Sequence, residues 1–208
     1  MEDVLAVYKR PYDSKFPLIC MDETTKQLTK EKRKTRRTRP GIPERFDYEY
    51  ERNGVCNVFM FFEPFNGKRY VQVTRRRTKA DWATHMKNLL DTQYANAEKV
   101  ILVLDNLNTH HGASFYETFP PEEARRLMEH LEIHYTPKHG SWLNIAEIEL
   151  RILSTQCLNR RIPDMPALKN EIAEWQNQRN ILNAKVDWQF SNENARIKLK
   201  RLYPTLLT

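Results

Sequence analysis

The apolar positions of this chain of 208 residues follow two different periods. Short apolar runs rich in β-branched and aromatic residues predict strands, whereas apolar residues spaced three and four apart predict helices. The strands are predicted at 16–24, 55–62, 68–73, 100–105 and 133–136. The helices are predicted at 78–95, 120–130, 142–158 and 166–180.

The order of these elements is three strands, a helix, a strand, a helix, a strand and then further helices. Asn66 and Gly67 form a hairpin signal between the second and third strands, so the first three strands are expected to form an antiparallel meander. The later strands join through helical crossovers and therefore form parallel pairs. This order predicts an α/β protein with the ribonuclease H-like fold, a mixed five-stranded sheet flanked by helices.

We expect three parts along the chain: a lead at 1–15, the ribonuclease H-like domain at 16–182 and a basic tail at 183–208. Inside the domain, residues 26–53 are polar and densely charged. That composition does not support a core element, and it predicts an arm or loop.

Charge and cysteine content indicate which partners and which classes of protein are compatible with this sequence. The formal net charge of +7 favours a polyanionic partner such as nucleic acid. The three cysteines form no CxxC pair, which argues against a disulfide framework and against a cysteine zinc site. No apolar run approaches the ~20 residues that a membrane helix needs, and the N-terminus lacks the pattern of a signal peptide. The expectation is a cytoplasmic protein without membrane attachment.

Two acids follow the apolar part of predicted buried strands: Asp22 comes directly after Met21 in the first strand, and Asp105 comes directly after Leu104 in the fourth. A carboxylate is costly in such a place unless it is paired or binds a metal. The first and fourth strands lie side by side in the predicted sheet, so the two acids are expected to meet. Mg²⁺ bound between them would relieve their mutual repulsion, since it takes one or two carboxylates and completes its shell with water and phosphate oxygens.

A site for two metal ions needs a shared carboxylate and at least one further acid. The predicted helix at 142–158 carries Glu147 and Glu149 among mostly apolar residues. Positions two apart differ by ~200° around a helix, and the apolar pattern is too complete to orient this one. Helical geometry therefore leaves both glutamates open as the third ligand.

Three short motifs in this order resemble the catalytic domain of DDE transposases, in particular the bacterial insertion-sequence relatives of the mariner superfamily. The motifs are MDET at 21–24, LDN at 104–106 followed by TH at 109–110, and HGSWLN at 139–144 leading to Glu147. The resemblance covers about residues 15–180.

The resemblance implies which residues act. The spacing Asn144-x-x-Glu147 favours Glu147 as the third acid beside Asp22 and Asp105. The expected active-site neighbours are Asn106, His110, Asn144 and Glu149. Glu23 is set aside, because its side chain should point to the opposite face of the strand from Asp22.

The activity implied is metal-dependent cleavage of DNA at transposon ends, followed by strand transfer into target DNA at a TA dinucleotide. The cofactor would be two Mg²⁺ ions, for which Mn²⁺ can substitute, and no small-molecule cofactor is expected. Asp22 would bridge both ions, Asp105 would hold one and Glu147 the other.

Basic residues provide the expected contacts to DNA phosphates. These residues are Lys32, Arg33, Lys34, Arg36, Arg37, Arg39, Arg75, Arg76 and Arg77. By the same resemblance, the arm at 26–53 clasps a second subunit in a homodimer, contacts DNA, or does both; the alternative from the residues alone is a solvated loop. The expected partners are double-stranded transposon ends and target DNA, and the expected location is a bacterial nucleoid.

Two alternatives remain open from the sequence. One is another ribonuclease H-like nuclease, such as a hybrid ribonuclease or a junction resolvase. The other is a non-catalytic DNA-binding module derived from a transposase. A zinc site built from the histidines is disfavoured, because their spacing includes no HxxxH on a helix. The first strand begins near residue 16, which leaves no room for the N-terminal helix-turn-helix domains of full transposases.

Overall fold

A computed structural model describes residues 1–33, 38–42, 48–107 and 109–203. Among these residues, five strands form one sheet in the order β3-β2-β1-β4-β5. The strands are β1 (Leu18–Glu31), β2 (Tyr50–Glu63), β3 (Lys68–Thr74), β4 (Val100–Leu104) and β5 (Leu131–Tyr135). The α-helices are α1 (Glu2–Tyr8), α2 (Lys79–Thr92), α3 (Ala113–Thr118), α4 (Pro121–Glu129), α5 (Ile145–Leu153), α6 (Met165–Ile181) and α7 (Asn192–Lys198).

The sheet has the predicted mixed topology. β1, β2 and β3 form an antiparallel meander, and β4 pairs in parallel with both β1 and β5. The register of the central pair places Cys20 beside Val103. Asp22 and Asp105 each follow two residues later, and because side chains alternate along a strand, both acids belong to the same face of the sheet.

Helices cover both faces of the sheet, so the two central strands are buried on both sides. One face packs against α1, α5, α6 and α7, and the other packs against α2, α3 and α4. Alternation along β1 shows the two layers directly: Leu18 and Cys20 belong to the first core, while Ile19 and Met21 belong to the second. Of the helices in the described ranges, none is long and apolar enough to cross a bilayer.

The hairpin of β1 and β2 is longer than the sequence predicted. Residues 26–53 were expected to be an arm or loop, but β1 continues to Glu31 and β2 already begins at Tyr50. These outer segments pair in antiparallel register, interrupted by a shift between Gln27 and Thr29. Backbone pairing satisfies their polar groups, and the buried Leu28 anchors them to the core, so strands form there without the apolar alternation that sequence reading requires.

The helical segments also differ from the prediction. The helix expected at 142–158 is divided into a 3₁₀ turn at Ser141–Leu143, α5, and a π-helical turn at Ser154–Leu158. Neither α1 nor α3 was predicted. Both are short, with 7 and 6 residues, and so they fall below the window in which a helical period can be recognised. α1 nevertheless joins the core through the fully buried Val4 and Leu5.

Candidate active site

A cleft of about 620 Å³ opens where β1 and β4 part, beside the first turns of α5. β4 ends at Leu104, whereas β1 continues as the partner of β2. The cleft is lined by Asp22, Glu23, Thr24, Asp105, Ser141, Trp142, Asn144, Glu147, Ile148, Leu150, Arg151 and Ser154. Asp22, Asp105 and Glu147, the three acids predicted from the sequence, therefore line one cleft although they come from three separate elements.

The surroundings of Asp22 strongly raise the pKa of its carboxyl group. Its Oδ1 accepts a hydrogen bond of 2.8 Å from the backbone N–H of Glu23, which favours the ionised form. Burial, followed by the negative charges of Asp105, Glu23 and Glu147, outweighs that bond and raises the pKa of Asp22 to about 7. Without a cation, the buried position of Asp22 beside other carboxylates therefore favours its protonated form up to about pH 7.

Asp105 is held by a buried histidine. His110 Nδ1 lies 2.7 Å from Asp105 Oδ1, and His110 Nε2 lies 2.9 Å from Glu23 Oε2. Burial lowers the pKa of His110, but the two flanking carboxylates overcome that effect and raise it to about 9. The ring is therefore an imidazolium at neutral pH: its Nδ1–H donates to Asp105 Oδ1, whereas its Nε2 lies close to Glu23 Oε2 as a charge pair, without the alignment of a hydrogen bond.

Glu147 lies in the first turn of α5, and Asn144 fixes where that helix begins. Asn144 Oδ1 accepts from the backbone N–H of Ala146 at 3.2 Å, as expected of an N-cap residue. Asn144 Nδ2 donates to the backbone carbonyl of Met21 at 2.8 Å. The start of α5 is thus attached to β1 one residue before Asp22, and the exposed Glu147 faces the cleft.

Asn144→Ala is expected to lower the free energy of unfolding by about 1–2 kcal/mol, because it removes a helix cap and leaves the buried carbonyl of Met21 without its donor. Urea denaturation measures this change. Asn144→Asp is the informative comparison, since it keeps the cap acceptor but loses the donor to β1. An Asn144→Ala protein as stable as wild type would contradict the attachment of α5 to β1.

Glu149 does not line the cleft. Its side chain is 1% exposed and lies 2.8 Å from Arg69 Nε and 2.9 Å from Arg179 Nε. The ~200° rotation between positions two apart on a helix thus separates it from Glu147. Glu149, expected near the active site as a supporting or structural acid, forms a buried ion cluster that connects α5 to β3 and α6.

The other predicted residues lie around the cleft or at the hairpin. Asn106 lines two smaller clefts that adjoin it, one with Arg77 and one with Lys138. Exposed Lys32, Arg33 and Arg39 lie beyond the end of β1, and exposed Arg75, Arg76 and Arg77 follow β3. Lys34, Arg36 and Arg37 lie outside the described residues.

Sequence reasoning missed the role of Glu23. Its side chain does lie on the opposite face of β1 from Asp22, yet it contacts the histidine that holds Asp105. The signal that could have found it is the pair of acids at 22 and 23 read together with His110, five residues after Asp105. Arg69 and Arg179 were missed as well, because the partners of Glu149 come from distant elements.

The donor set of the cleft fits a divalent cation. Carboxylate oxygens are the protein ligands that Mg²⁺ prefers, and one or two suffice when water and phosphate complete the octahedron. Within the described ranges, no three His, Cys, Asp or Glu side chains are close enough together to hold one ion, so the three acids share a cleft without forming a closed ligand set. Burial and, to a lesser degree, the neighbouring carboxylates raise the pKa of Asp22, and a bound cation would oppose both by favouring the ionised form.

The Asp22 pKa predicts an unusual dependence of stability on pH. Its folded-state pKa, about 7, lies above the ordinary 3.8, so the folded protein binds the proton more tightly than the unfolded chain. Stability should therefore fall as pH rises from about 4 to 7, and the whole penalty is present above pH 7. In EDTA at pH 8, Asp22→Asn should raise the free energy of unfolding by about 1–3 kcal/mol, less than the shift implies because the group is partly solvated. Urea denaturation at pH 4 and pH 8 measures this, and equal stabilities at pH 8 would contradict it.

Residues 17–169 match the model of a family described as DDE superfamily endonuclease. A comparison with curated proteins found no match.

Solved structures of Mos1 mariner complexes share the fold. The paired-end complex with Mn aligns with a TM-score of 0.60 and 17% identity, covering 88% of this chain and 54% of that one. The strand transfer complex aligns with a TM-score of 0.57 and 17% identity, covering 88% of this chain and 55% of that one. A pre-cleavage transpososome aligns with a TM-score of 0.55 and 16% identity, covering 90% of this chain and 61% of that one. The chain thus spans little more than half the length of these proteins. Identity at this level shows the fold alone, which is the mixed five-stranded sheet with flanking helices of the ribonuclease H-like class.

Proposed function

The chain belongs to the DDE superfamily of endonucleases, and from this premise we propose that it is the catalytic part of a DNA transposase. Its reaction would be metal-dependent cleavage of phosphodiester bonds at transposon ends, followed by strand transfer into target DNA. The observation that carries this proposal is the convergence of Asp22, Asp105 and Glu147 on one cleft from three separate elements. The similarity to Mos1 complexes with transposon ends supports DNA as the substrate.

Asp22, Asp105 and Glu147 would hold the metal, as Mg²⁺ or Mn²⁺. When bound, the ions would activate a water molecule and neutralise charge at the scissile phosphate. Asn144 sets the position of Glu147, and His110 sets that of Asp105. Arg151 also lines the cleft and carries the charge to orient a phosphodiester group through its guanidinium.

The exposed basic residues at the hairpin and after β3 would bind DNA outside the cleft. Lys32, Arg33, Arg39, Arg75 and Arg76 are all exposed, so their contacts to phosphate should weaken as salt is raised. The hairpin arm is also the surface proposed for homodimerisation. The preference for a TA target, the bacterial insertion-sequence origin and action at the nucleoid belong to the same proposal.

The proposal is tested by nicking of supercoiled plasmid at low salt with Mg²⁺, Mn²⁺ or EDTA. We expect nicking with either ion, none with EDTA, and loss of nicking in Asp22→Asn. Asp187→Asn removes an exposed aspartate outside the cleft and should nick like wild type.

The same assay separates the rival functions. Cutting of RNA–DNA hybrids or four-way junctions without strand transfer would favour another nuclease of this fold. A wild-type chain that binds plasmid but never nicks it with either ion would contradict the enzymatic proposal and favour a DNA-binding module.

A further inference from the structure

Glu23 is a buried acid whose place in the protein the triad does not explain. Its side chain is 3% exposed and lies on the sheet face opposite to Asp22. The preceding residue on that face, Met21, packs in the apolar core with α2, α3 and α4. A carboxylate at the margin of such a core is unfavourable unless a specific partner compensates it.

The solvent-side partner of Glu23 is weak. Arg77 Nη1 lies 3.7 Å from Glu23 Oε1, and the Arg77 side chain is mostly exposed. An ion pair that is long and open to water contributes little. Arg77 therefore does not account for the burial of Glu23.

The inner contacts of Glu23 reach both aspartates of the cleft. Its backbone N–H donates to Asp22 Oδ1 at 2.8 Å. Its Oε2 lies 2.9 Å from His110 Nε2, and the opposite ring nitrogen of His110 lies 2.7 Å from Asp105 Oδ1. One residue thus contacts Asp22 directly and Asp105 through a single imidazole ring.

His110 is held in place by its surroundings, so a contact on one edge of its ring can affect the position of Asp105 at the other edge. His110 is fully buried, and its ring packs against that of Trp82 with centroids 5.9 Å apart. The backbone carbonyl of His110 accepts from the Tyr135 hydroxyl at 3.2 Å, and its N–H donates to the carbonyl of Leu107 at 2.9 Å. These contacts leave the ring little freedom to turn, and Glu23 engages the edge that faces away from Asp105.

We propose that the Glu23 side chain is a positioning group that, through His110, sets the geometry in which Asp105 binds a divalent cation beside Asp22. The inference rests on the proposed function, since it takes these two aspartates as metal ligands. Groups behind metal ligands fix ligand orientation, and their loss weakens metal binding without removing a ligand. The same logic applies here to a ligand carboxylate held by a histidine–glutamate pair.

The test measures Mn²⁺ affinity by electron paramagnetic resonance of free Mn²⁺, a readout that needs no DNA and no cleavage. Glu23→Ala removes the carboxylate beside His110 Nε2 and should weaken Mn²⁺ binding by roughly 10–100-fold. Glu23→Gln keeps a side chain of the same size with a polar oxygen beside the ring, so it should restore much of the affinity. Glu63→Gln is the control, because Glu63 is also an acid with little exposure, lies on the neighbouring strand β2 and does not line the cleft.

A double-substitution cycle identifies the route of the effect. If Glu23 acts through His110, Glu23→Ala should weaken Mn²⁺ binding little further once His110→Ala is present. Nicking by Glu23→Ala should recover toward wild type at saturating Mn²⁺, because all three ligands remain. Unchanged affinity in folded Glu23→Ala, equal losses in Glu23→Gln and Glu23→Ala, or losses that simply add to those of His110→Ala would overturn the proposal. A chain that binds Mn²⁺ with this pattern yet never nicks DNA would overturn the proposed function and leave the role of Glu23 standing.

Discussion

Glu147→Gln should reduce metal-dependent nicking by roughly 100-fold or more, corresponding to about 2.7 kcal/mol or more of lost transition-state stabilisation. The amide keeps the size of the side chain but removes the charged oxygen that is proposed to bind the metal ion. Glu147 is exposed and belongs to none of the ion pairs found among the described residues, so the fold should be unaffected. Plasmid nicking and thermal denaturation of the same preparation measure the two effects.

Glu149→Gln provides the internal comparison on the same helix. It should destabilise the protein, because it discharges the partner of Arg69 and Arg179, while the folded fraction nicks DNA at the wild-type rate. If Glu149→Gln loses cleavage while remaining folded and Glu147→Gln does not, the third ligand has been assigned to the wrong glutamate.

Glu149→Ala should lower the free energy of unfolding by about 3–5 kcal/mol, the range found when one partner of a buried ion pair is removed. The Arg69 side chain is 0% exposed and would lose its carboxylate without gaining water. Its other contacts are neutral: Arg69 donates to the carbonyls of Gly67 and Ala184 and to Asn180 Oδ1.

Urea denaturation of the wild type, of Glu149→Ala and of the double variant Arg69→Met, Glu149→Leu tests this cluster. Arg69→Met combined with Glu149→Leu should recover a large part of the loss, since no charge is then buried alone, although Arg179 and the carbonyls lose a partner. If Glu149→Ala lowers the free energy of unfolding by less than about 1 kcal/mol, the Arg69–Glu149 ion pair behaves like a weak, exposed salt bridge. That result would contradict its burial.

The order of the sheet was predictable because it depends on local patterns. The apolar run from Val100 to Leu104 is buried at every position, as expected for a central parallel strand. The turn at Gly67 joins β2 to β3, and helices connect the later strands. Once β1 and β4 are neighbours, Asp22 and Asp105 come to the same face by strand periodicity alone.

Features that depend on long-range contacts could not be predicted in this way. The outer part of the hairpin, from Lys26 to Glu31, is stabilised by pairing with β2, and its polar sequence carries no strand signal. The partners of Glu149 are 80 residues before it and 30 residues after it, at Arg69 and Arg179. Strand periodicity did place Glu23 on the far face, but it gave no indication that His110 would connect the two faces.

Fe²⁺-directed cleavage of the polypeptide tests most directly whether Asp22, Asp105 and Glu147 form one metal site. Fe²⁺ bound in place of Mg²⁺ generates hydroxyl radicals with ascorbate and peroxide, and these cut the backbone close to the ion. Mass spectrometry should find cuts near all three residues, suppressed by excess Mg²⁺ or Mn²⁺ and lost in Asp22→Asn. Cuts confined to one of the three segments, or unchanged in Asp22→Asn, would contradict the assignment of this cleft as the metal site.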